Sequence, residues 1–96
     1  MQSNLKEKIQ QRENTFNRVI EMLISSLQLE YSPDELDADT PLFGTGLGLD
    51  SVDAVEVIIT LEAEFGISLD EGDSIFALRT INSLVDVVMS RKENIQ

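Results

Sequence analysis

The sequence predicts an all-α protein, a small antiparallel bundle of three to four helices with a long loop between the first and second helices. Apolar residues recur at helical spacing in three segments of the chain. The strand period of two is never sustained, because the best candidate, Ile67-Ser68-Leu69, is too short. With 96 residues the chain is expected to form a single domain, in which residues 1–14 make a polar helical extension prone to fraying.

The first helix is predicted to begin at a cap on Ser3 or Asn4. It should end near Leu29, because the Ser32-Pro33 pair that follows disfavours helical backbone. A turn of about 100° per residue places its apolar side chains on one stripe. These are Leu5, Ile9, Phe16, Ile20, Leu23 and Leu27, with Val19 and Ile24 at the edges of the stripe.

Residues 30–50 are predicted to form a long loop. Its turns are marked by Pro33, Pro41, Gly44, Gly46 and Gly48. Its apolar residues, which we expect to anchor it to the core, are Leu36, Leu42, Phe43, Leu47 and Leu49. A loop of this length is unusual in a compact domain and favours a functional role.

Two further helices follow the loop. The second is predicted over Ser51–Phe65, and Gly66 is a suitable residue to end it. Residues 70–76 are expected to form a polar connection that holds one helical turn. Thr80 should cap the last helix, which ends near Arg91. The predicted buried stripe of this last helix is Ile81, Leu84, Val85 and Val88.

The charge balance limits the classes of partner. There are 18 acidic and 7 basic residues, a net charge of −11, and no Lys or Arg occurs between Val19 and Leu78. Nucleic acid and anionic membranes are therefore poor partners, because binding them requires cations that neutralise phosphate. No segment has the roughly 20 apolar residues of a membrane span or the pattern of a secretory signal, so we expect no membrane insertion and a cytoplasmic location.

The residue types also limit the chemistry. The absence of Cys and His excludes disulfides, zinc fingers, Cys or Ser–His nucleophiles and imidazole catalysis, so no catalytic residue is predicted. A calcium loop starting at Asp37 would need Gly and Glu where Leu42 and Gly48 stand, so no metal site is predicted. Gly44-Thr45-Gly46 lacks the Lys-Ser/Thr ending of a phosphate-binding loop.

The second helix has two apolar faces. Its expected core face consists of Ala54, Val57, Ile58, Leu61 and Phe65. Val52, Val55, Ile59 and Ala63 lie on nearly the opposite side, interleaved with Asp53, Glu56 and Glu62. Stray exposed aliphatic residues are common and could explain one or two of these positions. The whole set favours a docking surface of apolar anchors surrounded by carboxylates.

Ser51 stands at the start of this helix, directly after Asp50. One interpretation is structural, because Ser is among the most frequent N-cap residues. The other is functional. A helix N-terminus offers free N–H groups and partial positive charge, which would stabilise a phosphate esterified to the hydroxyl.

The segment Leu47-Gly48-Leu49-Asp50-Ser51-Val52-Asp53-Ala54-Val55-Glu56-Val57 resembles the phosphopantetheine attachment region of acyl carrier proteins. The resemblance continues through Leu61-Glu62-Ala63-Glu64-Phe65-Gly66-Ile67 and Thr80-Ile81-Asn82-Ser83-Leu84-Val85 and covers about residues 16 to 91. It implies that Ser51 carries 4′-phosphopantetheine taken from coenzyme A and that the chain is a carrier rather than an enzyme. Ala63 departs from the family, because many fatty-acid carriers have an acid there.

The resemblance further implies partners and cargo. A phosphopantetheinyl transferase would modify Ser51, and acyl-transfer, condensing and other acyl-processing enzymes would dock through basic surfaces. The expected docking residues are Asp50, Val52, Asp53, Val55, Glu56 and Ile59. The acidic second helix favours fatty-acyl or related cargo. The carrier is expected to be a monomer. A polyketide or peptidyl carrier, or an unmodified acidic adaptor that only binds proteins, stays open as an alternative.

Overall fold

Four helices and one short 3-10 turn make up the computed structural model, which describes residues 2–94 and the side chains of residues 5–92. The helices are α1 (Gln2–Leu27), α2 (Ser51–Phe65), α3 (Glu71–Ala77) and α4 (Ile81–Asn94), and the 3-10 turn spans Pro33–Glu35. Within the described range no strand forms, and only an isolated bridge joins Pro41 to Thr80. The predicted all-α class, the bundle and the long loop are confirmed.

The core is apolar and draws on all four helices and the loop. Its largest fully buried side chains are Val19, Ile20, Leu23, Leu42, Val57, Leu61, Ile81, Leu84, Val85 and Val88. The expected core face of α2 is confirmed for Val57, Leu61 and Phe65, which are buried, whereas Ala54 and Ile58 are half-buried. Leu36, Leu42 and Leu49 anchor the loop as expected, and Leu47 is half-buried against the core.

Three expectations for the loop and the first helix are corrected. Phe43 does not anchor the loop, since 36% of it is exposed. The helix already includes Ser3 and Asn4, whose side chains lie outside those described, so its start precedes the predicted caps. It ends at Leu27, two residues early, because Gln28 adopts a left-handed conformation (φ 53°) and Leu29 N–H donates back to Ile24 O at 3.0 Å.

Local capping explains the end of α2 and the starts of α3 and α4, whereas α4 continues to Asn94, past its predicted end near Arg91. Gly66 ends α2 in a left-handed conformation (φ 64°), as predicted. Thr80 caps α4, because its Oγ1 accepts a hydrogen bond from Ser83 N at 3.1 Å while Ser83 Oγ accepts one from Thr80 N at 2.9 Å. The connection after α2 holds a longer helix than the predicted single turn. Asp70 and Asp73 cap it reciprocally, and this capping box supports the seven residues of α3.

No helix among residues 2–94 combines the length and the apolar character needed to cross a bilayer.

Candidate functional site

The segment that leads into α2 is held against the start of α4 by backbone hydrogen bonds. Leu42 N donates to Arg79 O at 3.2 Å, and Leu49 N donates to Leu42 O at 3.0 Å. Leu42 and Leu49 are both buried. The chain is therefore fixed one residue before Asp50, and Asp50 and Ser51 emerge at the surface.

The glycines of this segment allow it to turn tightly. A Cβ on Gly46 would lie 1.8 Å from Pro41 O, the same carbonyl that accepts a hydrogen bond from Leu47 N at 2.9 Å. Gly44 and Gly48 have positive φ angles of 67° and 68°, which side-chain-bearing residues rarely adopt. The glycine-rich stretch is therefore a compact turn that sets the position of the α2 N-terminus.

Asp50, and not Ser51, is the N-cap of α2. Asp50 Oδ1 accepts a hydrogen bond from Asp53 N at 2.9 Å, and Asp53 Oδ2 accepts one from Asp50 N at 3.2 Å. The interpretation of Ser51 as the cap is therefore wrong. The reciprocal pair of carboxylates performs this role, and the helix does not need the serine hydroxyl for it.

Ser51 is the first residue of α2, and its side chain is exposed. The backbone hydrogen bonds of the helix begin with Ala54 N donating to Asp50 O at 3.0 Å, while Asp53 N is taken by the Asp50 carboxylate. Among the described residues, the N–H groups of Ser51 and Val52 have no acceptor. Two free donors thus lie at the end of the helix that carries the exposed hydroxyl.

The second apolar face of α2 is exposed along its length. Val52 is 75% exposed, Val55 59% and Ile59 58%, and Ala63 is exposed as well. With Glu56, these residues form what we call the α2 outer face: Val52, Val55, Glu56, Ile59 and Ala63. Three large aliphatic side chains this open, on one side of one helix, are more than the scattered apolar exposure of an ordinary surface.

The carboxylates near Ser51 are not neutralised by the protein. The ion pairs among the described side chains are Arg12–Asp86 at 2.8 Å, Arg18–Glu64 at 3.0 Å and Arg91 with Asp70 and Asp73. None of them involves Asp50, Asp53 or Glu56. Asp50 and Glu56 are exposed and Asp53 is half-buried. A strongly negative field therefore surrounds the exposed hydroxyl and the apolar residues beside it.

Two exposed apolar residues on α3 were not singled out from the sequence. Ile75 is 67% exposed and Phe76 45%, and Ala77 is the buried residue of this helix. The sequence analysis missed them because it expected a single helical turn in this connection and therefore assigned these residues to no helix face.

The described residues offer no built metal site. Between residues 2 and 94, no three or more acidic side chains are grouped so that they could hold an ion. The chain has no His and no Cys. What the site presents is thus an exposed hydroxyl, two backbone donors, unpaired carboxylates and an apolar surface.

Comparison with known proteins bears on the same region. A family model described as "Phosphopantetheine attachment site" matches residues 17–88. The acyl carrier protein of Azobacteroides pseudotrichonymphae is 36% identical over 73 residues, which are 76% of this chain and 82% of that protein.

Organellar relatives are also similar. The chloroplastic acyl carrier protein 3 of Cuphea lanceolata is 33% identical over 79 residues, 82% of this chain and 52% of that protein. The mitochondrial acyl carrier protein of Neurospora crassa is 28% identical over 82 residues, 85% of this chain and 59% of that protein. This chain thus spans little more than half the length of these two relatives.

Proposed function

The chain belongs to the acyl carrier protein family, and we propose that it carries acyl groups as thioesters on a 4′-phosphopantetheine arm attached to Ser51 Oγ. The observation that carries the proposal is the exposed Ser51 hydroxyl, which the Asp50–Asp53 cap leaves unused at the first position of α2. An attachment residue must be reached by a second protein without unfolding the domain, and Ser51 meets this requirement.

Attachment is a phosphoryl transfer from coenzyme A. The Ser51 oxygen forms a bond to the phosphorus next to the pantetheine, the bond from that phosphorus to the bridging oxygen breaks, and 3′,5′-ADP leaves. The hydroxyl proton must pass to a base. This chain has no His, so a separate phosphopantetheinyl transferase would supply that base.

The surroundings of Ser51 fit a covalently held phosphate better than a bound one. The N–H groups of Ser51 and Val52 can donate to phosphate oxygens at the positive end of the helix dipole. The unpaired carboxylates of Asp50 and Asp53 repel a free anion, so non-covalent binding would be weak. The ester bond removes that difficulty because it fixes the phosphate in place.

The arm supplies a terminal thiol, on which acyl groups form thioesters. The protein has no Cys of its own to compete for the cargo. Its own residues position the arm at an exposed helix end and offer the α2 outer face to partners. We infer that acyl-transfer, condensing and other acyl-processing enzymes of fatty-acid or related biosynthesis use this face, in the cytoplasm.

Docking would combine charge and apolar contact. The residues proposed for it are Asp50, Val52, Asp53, Val55, Glu56 and Ile59. Carboxylates without internal cations can steer a basic partner surface, and steering raises the association rate more than the affinity. A carrier that serves successive enzymes requires this combination, because each partner must release it quickly.

Intact-mass measurement tests the attachment. Coexpression with a phosphopantetheinyl transferase should add about 340 Da, the mass of one arm. Ser51→Ala should abolish the gain, whereas the matched control Ser68→Ala, which removes an exposed hydroxyl from the loop after α2, should leave it intact. An unchanged mass of the wild-type chain with several transferases would favour the unmodified adaptor. A gain that survives Ser51→Ala would place the arm elsewhere.

A further inference from the structure

The first turns of α1 form an arm that packs little against the rest of the bundle, although Ile9 borders a cleft of its own molecule with Ala38 and Asn82. At about 1.5 Å per residue, the 26 residues of α1 span about 39 Å and the 14 residues of α4 about 21 Å. The described side chains from Leu5 to Gln11 are all exposed, and α1 is tied to α4 from Arg12 onward by the Arg12–Asp86 ion pair. We call residues 2–11 the α1 arm. It lies outside the family match, which begins at residue 17.

The arm presents apolar anchors between cations. Leu5 is 62% exposed and Ile9 55%, and their spacing of four residues places them on one face. At about 100° per residue, Lys8 lies roughly 60° to one side of Leu5 and Lys6 roughly 100° to the other. Glu7 lies on the far side of the helix. Among the described residues, neither lysine forms an ion pair.

The α2 outer face has the complementary arrangement. Val55 and Ile59 are also four residues apart and similarly exposed, at 59% and 58%. Glu56 lies beside them as an exposed acid that has no cation among the described residues. An arm with two anchors and flanking lysines therefore matches a face with two anchors and a flanking carboxylate.

A molecule cannot bring its arm to its own α2 outer face. Helix α1 is continuous from Gln2 to Leu27 and contains no Pro or Gly at which it could bend sharply. Arg12 fixes the base of the arm to α4 through Asp86 and Asn82. The matching surface must therefore come from another molecule.

We propose that the α1 arm of one molecule docks on the α2 outer face of a second copy. Reciprocal docking closes a two-fold dimer in which each arm and each face is used once. The net charge of −11 on each copy opposes the approach, so the dimer is weak and forms at high concentration. It covers the surface beside Ser51, and a dimer therefore competes with partner enzymes. The proposal does not depend on modification of Ser51.

The pairing is tested by exchanging the charges of the arm and of the face in variants of the unmodified chain. Association is measured by sedimentation equilibrium. Two variants are required: Lys6→Glu with Lys8→Glu, which makes the arm acidic, and Glu56→Lys, which makes the face basic. The wild-type average mass should rise between about 0.1 and 1 mM. Each variant alone should lose about tenfold or more in association constant, and an equimolar mixture of the two should recover it.

The control is Glu30→Lys, which changes the net charge as Glu56→Lys does but alters an exposed loop residue. It should associate at least as well as the wild type, because overall repulsion falls. A wild-type chain that stays monomeric at about 1 mM overturns the proposal. So does a mixture that fails to recover association, or a Glu30→Lys variant that loses as much as Glu56→Lys.

Discussion

Asp50 and Asp53 cap each other across the first turn of α2, with Asp53 N donating to Asp50 Oδ1 at 2.9 Å and Asp50 N donating to Asp53 Oδ2 at 3.2 Å. The two residues, one on either side of Ser51, thus cap the helix and leave the N–H groups of Ser51 and Val52 without an acceptor among the described residues. The serine hydroxyl is left exposed, and both acids stand next to it without a cation among the described residues. Structure and electrostatics of the site therefore depend on the same pair of carboxylates.

Substitution of Asp50 should separate its capping role from its charge. We expect Asp50→Ala to lower the free energy of unfolding by about 1 kcal/mol, the usual cost of a lost N-cap. Asp50→Asn should keep nearly full stability, because its amide oxygen can still accept from Asp53 N. Urea denaturation measures both. Equal stability losses for Asp50→Ala and Asp50→Asn would contradict the capping role.

The turn before α2 should not tolerate a side chain at Gly46. Because a Cβ there would lie 1.8 Å from Pro41 O, Gly46→Ala must displace backbone and should lower the free energy of unfolding by about 1–3 kcal/mol. Gly72→Ala is the matched control. Its Cβ would meet Asp70 Oδ1 at an ordinary 3.5 Å, and alanine favours the helix by up to about 1 kcal/mol. In thermal unfolding, the melting temperature should therefore fall in Gly46→Ala and rise in Gly72→Ala.

Arg18 should contribute to stability by joining α1 to the end of α2. Its guanidinium lies 4.4 Å from the centre of the Phe65 ring and donates to Glu64 O and Glu64 Oε2 at 3.0 Å each. The ion pair is exposed and worth little by itself, but stacking on the ring adds about 0.5–1 kcal/mol. Arg18→Ala should therefore destabilise the fold by about 1 kcal/mol. Arg79→Ala, which removes an exposed cation without such contacts among the described residues, should not destabilise it in urea.

Salt should stabilise the protein. The net charge is −11, and the carboxylates on the first turns of α2 have no cations within ion-pairing distance among residues 5–92. Screening weakens repulsion between such exposed charges more than it weakens close ion pairs. The melting temperature should rise between about 0.01 and 0.5 M NaCl, and the rise should be smaller in Glu30→Lys. A melting temperature independent of salt would contradict the dominance of repulsion.

The sequence was sufficient to predict α1, α2 and α4, because apolar periodicity and capping residues are local signals, whereas α3 was expected only as a single turn. It predicted α2 with both boundaries, and Thr80 as the cap of α4. It did not reveal that Asp50 rather than Ser51 caps α2, because both are good N-cap residues.

Exposure at the edges of the bundle was harder to predict from the sequence. Leu5 and Ile9 continue the apolar stripe of α1 in the sequence, yet more than half of each is exposed, because little of the rest of the chain packs against the first turns of α1. Phe43 was expected in the core for its apolar character alone, and Ile75 and Phe76 were not assigned. In each case the deciding fact is what neighbouring elements cover, and that is a tertiary property.

Recognition by the transferase should depend on Glu56 more than on an acid elsewhere. Glu56 is exposed on the α2 outer face and has no internal cation among the described residues, so a basic partner surface can pair with it. An exposed ion pair is worth about 0.2–1 kcal/mol, and we therefore expect Glu56→Lys to lower kcat/KM for modification by up to about fivefold. Glu13→Lys, on α1, makes the same change in net charge and should have a smaller effect.

Rates measured by mass spectrometry at low and high salt would separate steering from contact, because only a steered reaction slows as salt is added. An equal loss of kcat/KM in Glu56→Lys and Glu13→Lys would contradict the proposal that partners dock on the α2 outer face.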